Sequence, residues 1–354
     1  MEVKEQRMST TSRLAGGVKG RFAPSPTGRM HLGNAFAALL SWLSAKSQGG
    51  KWLLRIEDLD PQRSRPEYAE TLMDDLLWLG LEWDEGPRVG GADGPYWQSQ
   101  RGSLYEEALL RLQRGGLLYP CSCTRADIMA TQAPHESDGR VVYKGTCRPP
   151  RTLPWDSLLR EGVGTDSLSP MGDVPHDGKP GTPASWGVPA ATRLMVPPET
   201  LAHFVCLDGH YGEVSVNLAS HCGDFIVRRR DGAWAYQLAV VVDDALMGVT
   251  EVVRGRDLLL SAPQQMYVAR LLGYTPPAFA HIPLLVNADG QRLSKRDKSL
   301  DMGELRSRFS PREVLGRLAH LAGLTADDAP VSARELVPLF SWAKVPREDI
   351  VCGV

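Results

Sequence analysis

Arg21-Phe22-Ala23-Pro24-Ser25-Pro26-Thr27-Gly28-Arg29-Met30-His31-Leu32-Gly33-Asn34 is the stretch on which the reading of the fold turns. Lys19–Ala23 reads as a short strand leading into it, and Leu32–Ala45, with Leu and Ala at most positions, reads as a buried helix leading out. The order is therefore strand, rigid loop, helix start. Two prolines fix the loop backbone. Gly28 and Gly33 permit tight turns or a close approach of a ligand. A helix beginning near His31 would aim unpaired N–H groups and a positive dipole end at an anion, and the imidazole adds a donor. Taken alone, His-x-Gly equally suits a histidine at a helix start beside a packing glycine.

Outward from this stretch, helix and strand signals alternate. Lys51–Ile56 reads as a strand ending in Glu57-Asp58, and Pro66–Leu79 as a helix stopped by Gly80. Gly102–Gly115 reads as a further helix. Regular patterning resumes at Thr192–Val196, and Asp224–Arg229 reads as a strand before an Asp231-Gly232 hairpin turn. Asp257–Leu272 reads as a helix ended by Gly273, and Ile282–Val286 as a strand before the loop Asn287–Lys298. Short helices fill the rest. Residues 1–18 read as a disordered tail, and 155–188, rich in Gly, Pro, Ser and Asp, as a long surface loop. This alternation predicts an α/β fold with a doubly wound parallel sheet. The functional loops of such a sheet lie at the carboxyl ends of its strands.

The chain has 354 residues, 42% hydrophobic and 23% charged, so it can build a packed core. Its 40 basic and 42 acidic residues leave a formal charge of -2. Without a basic excess, any RNA contact must use a local surface or a small footprint. The N-terminus lacks a signal-like apolar segment, and no apolar run reaches the roughly 18 residues needed to cross a bilayer. A cytoplasmic location without a membrane partner is expected. Six cysteines in a chain of this length do not suggest a disulfide framework. Cys121, Cys123 and Cys147 cluster, which suggests a structural Zn²⁺ held by thiolates, or three reduced cysteines without metal. A closed tetrahedral site needs a fourth ligand, and His135 is a chemically ordinary choice. Cys206, Cys222 and Cys352 are isolated.

Gln291–Ser299 is a second informative segment, Gln-Arg-Leu-Ser-Lys-Arg-Asp-Lys-Ser. Its cations suit a triphosphate and the charge that develops as pyrophosphate leaves, although alone it also fits a solvated charge run. Together, Arg21–Asn34 resembles the HIGH signature of class I aminoacyl-tRNA synthetases in its glutamyl form, and Arg292–Arg296 resembles their KMSKS loop. Leu54–Asp58, the stretch from Asp224, Ala235–Asp244 and Val252–Asp257 resemble the same family. The likeness spans most of residues 19–300.

The resemblance implies a Rossmann-type catalytic domain in two halves, 19–120 and 191–300. Between them lies an inserted acceptor-end subdomain, 121–190, with a possible zinc site, and 301–354 follows as a short helical C-terminus. It implies ATP with Mg²⁺ as substrate, bound by His31, Gly33, Asn34, Arg292, Ser294 and Lys295, with His31 and Lys295 catalytic. Arg292 stands where the family motif has lysine; the charge is kept, but the two donors are not equivalent. Glutamate has two carboxylates and one ammonium. Arg21 and Arg254 suit the side-chain carboxylate through their forked donors, Glu57 the ammonium, and Tyr236 adds a hydroxyl. These residues, with Ala23 and Ser25, match the family's glutamate contacts. Read without the family, Arg21 and Arg254 also fit structural ion pairs, Tyr236 a core position, and Glu57 a strand end. Asp243-Asp244 fit either local structure or the acceptor end.

The spacing Cys-x-Cys…Tyr-x-x-x-Cys resembles the zinc site of one synthetase paralogue, with Tyr143 as the fourth ligand. The segment after residue 300 is too short for an anticodon-binding domain of ordinary size. Both features resemble the truncated paralogues that activate glutamate without tRNA and place it on the queuosine base in the anticodon of tRNA(Asp). A monomer is expected. The alternatives are a shortened synthetase charging tRNA(Glu) and a non-catalytic paralogue. A dinucleotide-binding dehydrogenase is disfavoured, because no G-x-G-x-x-G follows the first strand.

Overall fold

The computed structural model describes residues 6–7, 17–124, 127, 142–163, 190–291 and 301–352. Its central sheet has four parallel strands: β1 (Lys19–Phe22), β2 (Lys51–Leu54), β3 (Glu251–Gly255) and β4 (Ala278–Ile282). Their spatial order is β4-β3-β1-β2. The strand interiors are buried on both faces, as a covered parallel sheet requires. The chain leaves β1 toward β2 on one side and leaves β3 toward β4 on the other. The carboxyl ends of β1 and β3 thus flank a topological switch point, where open α/β sheets form their ligand crevice.

Helix α1 (Leu32–Ser47) is enclosed from Ala38 to Ala45 without interruption, as its nearly all-apolar sequence demands. Gly20 lets it lie close on β1, since a Cβ there would stand 3.1 Å from that of Ala45. Past Phe22 the rigid loop is laced to the chain after β2. Arg55 N–H donates to the Phe22 carbonyl at 3.0 Å, Glu57 N–H to Pro24 at 2.9 Å, and Arg65 N–H to Pro26 at 2.9 Å.

Helices Pro66–Trp78 and Gly102–Arg114 form where the sequence predicts them. Gly232, at φ +85°, turns the hairpin that bridges Arg228 to Trp234. Ala235–Asp244 falls in helix α2 (Tyr236–Leu246), which packs against helix α3 (Ala262–Leu271). An antiparallel sheet of Leu118–Cys121, Ala191–Leu194 and Phe225–Arg228 flanks the core. A hairpin of His203–Asp208 and Gly212–Asn217 forms a separate sheet, with Gln6–Arg7 paired in parallel on its edge.

Three expectations are corrected. The strand expected over Ile282–Val286 runs instead over Ala278–Ile282, because Pro283 has no N–H for the ladder. Leu285–Val286 form a separate strand, paired in parallel with Ile350–Val351. The helix expected from Asp257 begins as a 3-10 turn, Arg256–Ser261, and becomes α-helical only at Ala262, with Pro263 in its first turn. The loop expected from residue 155 opens with a helix, Trp155–Glu161, which buries Trp155, Leu158 and Leu159 at helical spacing. Residues 164–189 lie outside the described residues. Helices Met302–Arg308, Pro311–Leu321 and Ala333–Leu336 close the chain against α1 and its neighbours. Among the described residues, no helix is long and apolar enough to cross a membrane.

Candidate active site

His31 is the residue immediately before α1, extended at φ −108° and ψ 169° and half-buried. Its N–H donates to Asn34 Oδ1 at 3.3 Å. A Cβ on Gly33 would stand 3.2 Å from the His31 ring, so glycine is what allows the imidazole to fold over the helix start. A helix N-terminus with an imidazole over it has the chemistry of an anion site. Arg292, Ser294 and Lys295 lie outside the described residues. Asp301, just beyond them, forms an antiparallel bridge with His31, and Met302 N–H donates to the Met30 carbonyl at 2.9 Å. The chain that follows the basic segment is therefore fastened to the start of α1.

The two predicted arginines lie near the carboxyl ends of β1 and β3. Arg21 is 4% exposed and Arg254 5%. Arg21 Nε lies 3.4 Å from Asp244 Oδ1. Arg254 donates to the Tyr236 hydroxyl at 3.2 Å, Gln265 Oε1 at 2.8 Å and His281 Nε2 at 3.0 Å. Burial, and then the neighbouring Arg21 charge, hold the Arg254 pKa below the ordinary arginine value. Burial pushes the Glu57 carboxyl above its usual range, against the pull of Arg55 and Arg21. An incoming ammonium would favour its ionised form. Ala23 and Ser25 lie on the loop between β1 and α1, half-buried and exposed respectively. Arg21, Glu57, Tyr236 and Arg254 thus share one electrostatic neighbourhood.

A carboxylate–guanidinium network underlies this pocket, and the sequence reading left its members unassigned. Arg55, fully buried, donates to Asp244 Oδ1 at 2.7 Å and to Glu57 Oε1 at 3.1 Å, and its Nε lies 3.6 Å from Asp243 Oδ2. Asp243 also accepts from Arg101 Nε at 2.5 Å, Gln98 Nε2 at 2.7 Å and the Tyr105 hydroxyl at 2.8 Å. Asp243 and Asp244 therefore fix local structure: one binds Arg101 to Arg55, the other bridges Arg55 and Arg21. The signal was available as charges set inside apolar runs, in Leu53-Leu54-Arg55-Ile56 and Val240-Val241-Val242-Asp243-Asp244.

The sulfur atoms of Cys121, Cys123 and Cys147 lie within 4.8 Å of one another. Cys123 Sγ is 3.5 Å from Cys147 Sγ, and the Tyr143 oxygen is 3.5 Å from Cys121 Sγ and 3.9 Å from Cys123 Sγ. A tetrahedral zinc with Zn–S bonds of about 2.3 Å separates its sulfurs by about 3.8 Å, so the donors fit. Burial opposes ionisation of Cys147, but Tyr143 and the Ser122 backbone outweigh it and lower the thiol to about 7. Burial, then Cys147 and Cys121, raise Cys123 to about 11. His135 lies outside the described residues.

The switch point, the histidine at the helix start and the buried arginine pair agree with the catalytic domain of a class I tRNA synthetase. The family model for the catalytic domain of class I tRNA synthetases (E and Q) matches residues 17–149 and 184–345, and the chain belongs to that family. It is 48% identical over 335 residues to the Glutamyl-Q tRNA(Asp) synthetase of Symbiobacterium thermophilum, covering 94% of each chain. It is 45% identical over 336 residues to that of Nitratidesulfovibrio vulgaris, covering 94% of this chain and 95% of the relative. Within the class, it belongs to the glutamyl-Q tRNA(Asp) synthetase family. The crystal structure of glutamate-tRNA synthetase from Elizabethkingia anophelis superposes with a TM-score of 0.73 at 28% identity, covering 95% of this chain and 68% of that one.

Proposed function

We propose that this chain activates L-glutamate with ATP, without tRNA, and transfers it to the queuosine base in the anticodon of tRNA(Asp). The observation that carries this reading is the pocket at the carboxyl ends of β1 and β3. It gathers Arg21 and Arg254, cations suited to a carboxylate, with the Tyr236 hydroxyl and with Glu57, an acceptor suited to an ammonium. The names of the relatives, which match over nearly their whole length, support the choice of acceptor.

In the first step an α-carboxylate oxygen of glutamate bonds to the α-phosphorus of ATP. The bond to the bridging oxygen breaks, and pyrophosphate leaves. In the second, an acceptor hydroxyl attacks the activated carbonyl, AMP leaves, and the hydroxyl proton passes to solvent or to AMP. No covalent enzyme intermediate is needed; positioning and charge stabilisation suffice. His31, the Gly33 backbone and Asn34 would hold phosphate oxygens, with Arg292 and Ser294, while Lys295 stabilises the leaving pyrophosphate. Mg²⁺ entering with ATP supplies further charge neutralisation. Ala23 and Ser25 would line the glutamate site. Cys121, Cys123, Tyr143 and Cys147 would hold a structural Zn²⁺ that ties the strand at Cys121 to the segment at Cys147. We take the enzyme to act as a cytoplasmic monomer.

The test is ATP–pyrophosphate exchange with glutamate and no tRNA, followed by transfer of labelled glutamate. Exchange without tRNA, with label on queuosine-containing tRNA(Asp), is the expected result. Label on tRNA(Glu) would overturn the choice of acceptor. Glutamate binding without exchange would instead favour a non-catalytic role.

A further inference from the structure

Among the described residues, the direct hydrogen-bond partners of the buried Arg254 are neutral. Its N–H groups donate to His281 Nε2, Gln265 Oε1, the Tyr236 hydroxyl and the Leu258 carbonyl, at 3.0, 2.8, 3.2 and 3.2 Å. Guanidinium has no acceptor, so His281 must present a lone pair at Nε2. The proton of the neutral ring then sits on Nδ1, which lies 2.6 Å from Asp208 Oδ2. Asp208 is itself held: its Oδ1 accepts backbone N–H groups of His210, Tyr211 and His281 at 3.0, 2.8 and 3.2 Å. The His281 and Asp208 side chains are both 0% exposed. Arg254 and His281 are direct register partners on β3 and β4, so their side chains leave the sheet on one face. Asp208 ends the first strand of the neighbouring hairpin.

We infer that Asp208 and His281 are positioning residues for glutamate selection: the carboxylate fixes the ring tautomer, and the ring aims Arg254 without neutralising it. This rests on the reading of Arg254 as a glutamate-binding residue. A carboxylate placed directly against Arg254 would anchor it equally well, but would compete with the ligand for the same charge. A neutral acceptor at Nε holds one edge of the guanidinium and leaves its charge for the carboxylate of the ligand. Glutamine, with no such charge, gains less from the site, so the relay contributes to preference for glutamate.

The decisive variant is Asp208→Asn. With its oxygen toward the three backbone N–H groups, asparagine turns its amide NH₂ to His281 Nδ1. The ring proton must then move to Nε2, where it opposes the Arg254 N–H. Exchange kinetics should show the KM for glutamate rising by about 10- to 100-fold, the value of one hydrogen bond to a charged group, with the KM for ATP within about twofold. His281→Gln retains an acceptor and should raise the glutamate KM less than His281→Leu does. Nitrogen-15 NMR of the histidines should find His281 protonated at Nδ1 in the unaltered enzyme, a readout independent of any variant's folding. A proton on Nε2 there overturns the inference. So does an unchanged glutamate KM in Asp208→Asn, or an equal loss for glutamate and ATP. If the unaltered enzyme shows no glutamate-dependent exchange, the underlying functional reading falls instead, and the NMR result still reports the relay.

Discussion

Replacing Asp243 by asparagine removes one charge from the best-enclosed part of the molecule while keeping its shape. Asp243 is 0% exposed and accepts hydrogen bonds from Arg101, Gln98 and Tyr105, with Arg55 Nε 3.6 Å away. Among the described contacts, Arg101 has no other carboxylate partner; its remaining bonds go to the Asp93 and Pro95 carbonyls. The substitution therefore leaves a buried guanidinium without a counter-charge. Breaking a buried pair from one side costs about 3–5 kcal/mol. For a chain of this size, each kcal/mol moves the thermal midpoint by about 1.3 °C, so a fall of about 4–7 °C is expected. Circular dichroism melting of the two proteins at equal concentration measures it. Arg308→Ala serves as control: its pair with Glu304 is 3.7 Å long and about half exposed, and should shift the midpoint by less than about 1 °C. If Asp243→Asn melts within about 2 °C of the parent, the network does not depend on charge balance, and the reasoning fails.

Gly33→Ala places a methyl 3.2 Å from the His31 ring, and should raise the KM for ATP by about tenfold, roughly the value of one hydrogen bond, while sparing the KM for glutamate. An unchanged KM for ATP would separate the imidazole from phosphate binding. Metal analysis of the purified chain should find about one zinc per molecule, lost in Cys147→Ser with a lower melting midpoint; zinc retained in that variant would rule out this ligand set. Acid sensitivity should follow from His281, whose pKa is held below 6.5, first by burial, with the Arg254 charge adding to it against Asp208. A depressed histidine pKa gives stability that is present above 6.5 and is lost as pH falls through the folded value. The midpoint should therefore drop more between about pH 7.5 and pH 5.5 in the parent than in His281→Gln, and equal drops would count against the relay.

The first strand, the loop after it and the helix that follows were legible because their cues are local. Prolines, glycines and an apolar helix mark β1, its loop and α1 whatever the rest of the chain does. Arg21, Glu57, Tyr236 and Arg254 could be gathered from separate segments only through the family pattern, and the structure brings them into one neighbourhood. What stayed hidden depends on partners far along the chain. Arg55 acquires meaning only beside Asp243 and Asp244, and His281 only beside Asp208. The hairpin over His203–Asn217 lacks clean alternation, because its first strand is buried at four of its six positions. The register beyond Ile282 turned on one residue, Pro283, whose missing N–H ended the ladder.

The insert leaves the antiparallel sheet at Cys121 and re-enters it at Ala191, and these two residues are register partners. Its entrance and exit are therefore pinned side by side. The family model passes over 150–183, which falls wholly between those two points. A change of length between these two partners need not move either strand, since the Cys121–Ala191 pairing fixes both ends, provided the buried helix Trp155–Glu161 keeps its place.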